Sequence, residues 1–216
     1  MLFTTRTLLH KNYIWALRER RFFSRYRPVA DDEPIPLTAV LAVNGIYDAL
    51  WCLRATTAPC DQLARLLAAD FAEHVLHLFE MAYPDDPAPR RAIEVARRFA
   101  TGRATDDKRR AAAEAAAFAA AAAKAAAKAA EAADDDAAAK VPHIADTAAR
   151  AAYDALLDVA TDAVYAAAYD ACFTAEAAPF APALAAGAPK EPEPRWQAKK
   201  FRAALAAHID DDTSPS

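Results

Sequence analysis

Along this chain apolar residues recur at intervals of three and four, the period of an amphipathic helix. The clearest stretch runs from Asp61 to Ala82, where Leu63, Leu66, Leu67, Phe71, Val75, Leu78 and Phe79 form one stripe. Six more segments read as helices. The first is expected over residues 7–26, the second from Thr38 as N-cap to residue 55, and the fourth from Pro89 to a C-cap at Gly102. Thr105 is placed to cap a fifth, reaching residue 133, with Asp106 and Asp107 complementing its dipole. Residues 143–177 read as one long sixth helix after a break at Asp134, Asp135, Asp136 and Pro142, and Trp196, Phe201 and Leu205 mark a short seventh. No segment alternates with period two, so no sheet is expected.

Composition sharpens this pattern. Three glycines and fourteen prolines among many strong helix formers describe helices punctuated by proline turns. Residues 111–133 hold 18 alanines, and Glu114, Lys124, Lys128 and Glu131 fall within an arc of about 100°. The remaining face is smooth and admits another helix closely. The expected fold is all-α: an antiparallel helical bundle of six to seven helices with Ala-rich central helices. Its expected organisation is a basic, aromatic N-terminal helix or arm with a linker (1–36), the bundle core (37–178), a Pro/Ala linker (179–194), a C-terminal docking helix (195–209) and a disordered tail (210–216).

The formal net charge of −4 divides unevenly, into +6 for residues 1–27 and −10 for the rest. The arm, with Arg18, Arg20, Arg21, Arg25 and Arg27 among Trp15, Phe22, Phe23 and Tyr26, could hold phosphates with stacking support or dock on its own acidic body. The acidic remainder would repel nucleic acid, which makes a nucleic-acid-associated protein an alternative rather than the leading reading. No window is apolar enough to span a membrane, the N-terminus lacks a continuous leader-type apolar region, and the odd set Cys52, Cys60 and Cys172 reads as reduced thiols. A cytoplasmic location is expected.

Glycine occurs only at Gly45, Gly102 and Gly187 and serine only at Ser24, Ser214 and Ser216, which excludes a Gly-rich phosphate loop and a nucleophile elbow. On the third helix Asp70 and His74, and Glu73 and His77, are i, i+4 pairs that could converge on a divalent metal, the basis of a rival reading as a metal-dependent enzyme. Their spacing does not reproduce the usual zinc or di-iron helix patterns, so no metal, no other cofactor and no catalytic residue is expected. Asp154, Asp158 and Asp162 line one edge of the expected sixth helix, where like charges call for a basic partner or a neighbouring arginine-rich helix. Asp85 and Asp86, in a proline-bracketed turn followed by Arg90 and Arg91, form a stiff polar surface suited either to a partner or to capping the fourth helix. These seven residues are the expected partner-binding set.

The stretch "LARLLAADFAEHVLHLFEMAYPDDPAPRRAIEVARRFATGRAT", preceded by "YDALWCLRAT" and followed by Ala-rich helices and a terminal "RWQAKKFRAAL", resembles the Ala-rich immunity proteins of bacterial toxin loci, relatives of which also occur in phages. The likeness is strongest over residues 63–105 and extends over about residues 37–205, with "FAEH" standing where the family pattern would read "CAE". It implies a compact helical protein acting by binding: a non-enzymatic inhibitor or adaptor, such as a toxin-neutralising immunity protein or a phage anti-defence protein. The implied partner is a protein, a basic toxin or nucleic-acid-binding protein being the best electrostatic match, and self-association stays open.

Overall fold

A computed structural model describes residues 2–12, 22, 24–26 and 29–211, the side chains of 209–211 excepted. It holds nine α-helices among the described residues: α1 (Arg6–Lys11), α2 (Leu37–Asn44), α3 (Ile46–Trp51), α4 (Asp61–Ala82), α5 (Ala88–Ala100), α6 (Asp106–Ala132), α7 (Asp136–Asp154), α8 (Ala160–Ala177) and α9 (Glu193–Asp211). Half of the expected first helix, including Arg18, Arg20 and Arg21, lies outside the described residues, as do Arg27 and the tail beyond residue 211. Connections of three to five residues turn the chain back between successive helices from α4 to α8, the arrangement of a helical bundle.

Helix α4 is the axis. Its buried Leu67, Phe71, Val75 and Leu78 meet residues of α7, α8 and α9, with Phe22 and Phe201 fully enclosed in the same core. A second, smaller core joins Phe79 to Ala119, Ala120 and Ala123 of α6 and Ala145, Ala148 and Ala149 of α7. Methyl groups on both sides let α6 and α7 pack along their lengths, the most extensive helix contact in the bundle. Thr105 caps α6 by accepting from the Lys108 amide at 3.4 Å. Cys52, Cys60 and Cys172 are buried, and none is in a disulfide among the described residues.

Three features depart from the helical pattern. The expected second helix is divided at Gly45, whose φ of 91° and ψ of −177° belong to a backbone region essentially restricted to glycine. A short antiparallel pair, β1 (Phe3–Thr4) and β2 (Ile35–Pro36), tethers the N-terminus, where the Thr4 hydroxyl donates to the Ala55 carbonyl at 2.6 Å. The expected sixth helix starts early and is broken. Asp134 at φ 56° turns the chain, and Asp135 accepts from the Ala138 amide at 2.9 Å, so α7 begins at Asp136 with Pro142 inside it. That proline deprives only the carbonyl of exposed Ala138 of its helical partner.

The chain then leaves the helix over residues 155–159. Two distant arginines satisfy the carbonyls released there: Arg65 donates to Leu157 at 2.9 Å and to Asp158 at 2.5 Å, and Arg109 donates to Leu156. Beyond α8, residues 178–187 form two single 3-10 turns that bury Ala181 and Leu184, and α9 returns across α4 and α8.

Candidate partner-binding surface

The Tyr83–Pro87 region joins α4 to α5. Asp86, one residue before the N-cap Pro87, accepts from the first amide of α5, that of Ala88, at 2.9 Å, while Arg90 makes two bonds to Glu80, at 2.6 and 2.7 Å. Asp85 and Arg91 are exposed, and their side chains make no hydrogen bond or ion pair among the described residues. The four charges therefore divide into two that brace the turn and two that are free to meet a partner. Asp86→Ala should cost about 0.5–2 kcal/mol, the usual value of a lost cap, while Asp85→Ala should leave the urea midpoint unchanged; equal losses would refute this division.

Because residues 155–159 interrupt the helix, Asp154, Asp158 and Asp162 do not share one helical edge. Asp162 pairs with Arg54, whose guanidinium lies 3.7 Å from the Trp51 ring centre, and Asp158 pairs with Arg109. Asp154 is buried at the end of α7.

The acid–histidine face of α4 is dispersed among structural partners. Asp70 and Glu73 both bind Arg97, at 2.7 and 2.6 Å, and Asp70 lies 3.3 Å from Lys200. The Arg97 hydrogen bond holds the Glu73 carboxyl below its usual range, and the same bond raises the guanidinium. His74 stacks on Trp196 at 3.7 Å with its Nδ1 2.7 Å from buried Glu193, and His77 Nε2 lies 2.6 Å from the Gly187 carbonyl. Among the described residues no three His, Cys, Asp or Glu side chains are grouped to hold a metal ion. These contacts fasten α5, the 178–187 segment and α9 onto α4.

A different assembly stands out between α6, α7 and α8. His143, Asp146, Thr147, Arg150 and Asp154 recur at three- and four-residue steps and so share one face of α7. The first four, with Lys124 of α6 and Tyr169, Asp170 and Phe173 of α8, line a cleft of about 290 Å³. Asp146 is 4% exposed, and its carboxyl has no hydrogen bond or ion pair among the described residues. Asp170 is 6% exposed; its Oδ2 sits 3.2 Å from Arg150 Nε without hydrogen-bond geometry. Asp154 lies against Asp170, carboxyl to carboxylate.

Burial raises all three carboxyls. For Asp154, pushed up to about 8, the adjacent Asp170 charge adds to the effect. For Asp170 the opposing influences are Arg150 and then the hydrogen bond with Asp154, and for Asp146 they are Arg150 followed by Lys124 and His143. The Thr147 and Thr174 hydroxyls, 2.9 Å apart, pin α7 to α8 beside the cleft. On its rim Tyr169 is 59% and Phe173 45% exposed, and His143 meets Phe173 edge-on at 6.0 Å. Of the sequence-derived set only Asp154 reaches this assembly. The missed signal was the polar stripe of α7, spaced helically among alanines.

Helices packed around an axial α4, with polar side chains spent on holding elements together, place the chain among helical-bundle proteins. The chain belongs to the Imm-5 like putative immunity protein family, whose model matches residues 57–199. That span contains the whole cleft and the Asp85–Arg91 turn. Membership supports an immunity role exercised through a protein partner. Searches of curated proteins and of solved structures return no match. Among the described residues no helix is long and apolar enough to cross a membrane.

Proposed function

We propose that this chain is a non-enzymatic inhibitor that neutralises a toxin, or disarms a defence protein, by covering its functional surface, and that the α6–α7–α8 face is its principal contact. The observation that carries this reading is the pair of half-exposed aromatics, Tyr169 and Phe173, beside a cleft floored by buried carboxylates. Protein-binding hot spots combine an aromatic anchor with polar groups that become fully desolvated on contact. Asp85 and Arg91 supply a second edge of contact, because no described residue of the chain engages them. The net charge of −10 over residues 28–216 fits a basic partner and would raise the association rate more than the affinity.

The test begins with capture and identification of the partner from the native host, followed by assay of that partner's own activity. Stoichiometric inhibition by the intact chain is expected. Tyr169→Ala with Phe173→Ala should weaken the complex at least about tenfold, equivalent to roughly 1.4 kcal/mol, with little change in melting temperature. Inhibition that survives this pair unchanged would remove the face from the contact, and turnover of a substrate by the isolated chain would overturn the inhibitor reading.

A further inference from the structure

We propose that the α6–α7–α8 cleft is a socket for one basic side chain, a lysine or arginine presented by the protein partner. The inference rests on the inhibitor reading and names the chemistry its partner must offer. It starts from an imbalance. Asp146 is desolvated with no ion pair or hydrogen bond among the described residues, and Asp170 Oδ2 makes no hydrogen bond although its residue is 6% exposed. Buried carboxylates of this kind are costly unless a cation or donor meets them.

The cations nearby fall short of that need. Arg150 contacts Asp170 from one side with half of its own side chain in solvent. Lys124 and His143 influence Asp146 electrostatically without pairing with it. Asp154 shares a hydrogen bond with Asp170 and so meets one side of that carboxylate, without supplying a positive charge. A single ammonium or guanidinium entering the cleft could donate to the Asp146 carboxylate and to Oδ2 of Asp170, and charged hydrogen bonds of this kind are the strong ones.

The dimensions and walls suit such a guest. About 290 Å³ accommodates one extended basic side chain. Tyr169 and Phe173 at the rim offer ring surface to its methylene stem and ring faces to its charge. The guest's main chain would then lie over these aromatics, where the proposed contact face begins. A small inorganic cation fits less well, since the described residues group no three ligating side chains.

The probes are Nα-acetyl-lysine methylamide, Nα-acetyl-arginine methylamide and, as a neutral control, the Nε-acetylated lysine analogue. They would be titrated into the full chain while the aspartate carboxyl carbons and aromatic ring protons are followed by NMR. Either cationic probe should give saturable shifts at Asp146, Asp170, Tyr169 and Phe173 and lower the titration midpoints of the two carboxyls. The neutral analogue should give none, and Asp146→Asn should weaken the cationic probe at least about tenfold. That variant is isosteric and removes an unpaired buried charge; should it not fold, the wild-type comparison of charged and neutral probes is decisive alone. Equal shifts from the neutral analogue, no saturable shift from either cation, or shifts from magnesium or calcium chloride alone would each overturn the socket. Those results would leave the inhibitor reading standing, because contact through Tyr169 and Phe173 does not require an occupied cleft. Stoichiometric inhibition unaffected by Tyr169→Ala with Phe173→Ala would displace the contact face instead, whatever the cleft binds.

Discussion

Replacing Arg109 by alanine is expected to destabilise the fold by about 3 kcal/mol, because it leaves the carbonyl of buried Leu156 without its donor and opens a cavity where the arginine stem packs. Its side chain is 6% exposed, donates to Asp106 at 2.7 Å, to Asp158 and to the Leu156 carbonyl, and lies 5.5 Å from the Phe99 ring centre. Truncation strands the Leu156 carbonyl at the turn between α7 and α8 and empties the space filled by the arginine stem. Asp158→Ala should shift the midpoint far less, because that carboxylate is 83% exposed, so water can take its place, and Arg109 keeps Asp106 and the Leu156 carbonyl. Arg109→Lys should recover only part of the loss, since a single ammonium cannot reproduce the guanidinium fork. Urea unfolding of the three variants measures this ordering. Equal losses for Arg109→Ala and Asp158→Ala would mean that the guanidinium does not secure the turn.

Replacing Asp154 by asparagine is expected to flatten the pH dependence of stability and to make the chain more stable than wild type above pH 8. Burial and the Asp170 charge lift the Asp154 carboxyl from 3.8 to about 8 in the folded chain. The folded state therefore retains a proton that the unfolded chain releases. Stability associated with that proton is fully present below pH 3.8 and is lost as pH rises through about 8. Each tenfold difference in proton affinity between the folded and unfolded chain is worth about 1.36 kcal/mol, so the wild type should lose on the order of 1 kcal/mol between neutral pH and pH 9. A larger loss accumulates from pH 5, tempered by the proton shared with Asp170. Asparagine imitates the protonated carboxyl and carries no such dependence. Parallel slopes for the two proteins in thermal melts from pH 5 to 9 would place the titration elsewhere.

Alone, the sequence determined the helical class and the extents of α4 and α6. Asp61–Ala82 carries a continuous apolar stripe, Thr105 is a capping residue ahead of two aspartates, and few glycines interrupt the alanine runs. These are local properties, set by side-chain spacing and backbone preference within a few residues, and they can be read from the chain directly. The stretch from Leu63 to Thr105 that carries the family resemblance lies inside the span matched by the family.

Tertiary structure decided what depends on distant partners. Residues 155–159 contain neither proline nor glycine, so nothing local ends α7; the break is sustained by Arg65 and Arg109, which reach its carbonyls from across the bundle. Gly45 offered a local hint, but only its backbone angles divide α2 from α3. The polar stripe of α7 was visible as helical spacing, yet its meaning depended on α8 crossing it. That crossing desolvates Asp146 and Asp170, sets Asp154 against Asp170 and leaves Tyr169 and Phe173 at the rim. Helical periodicity is a short-range property of the chain, whereas desolvation and charge pairing arise only when residues far apart in sequence share one small volume.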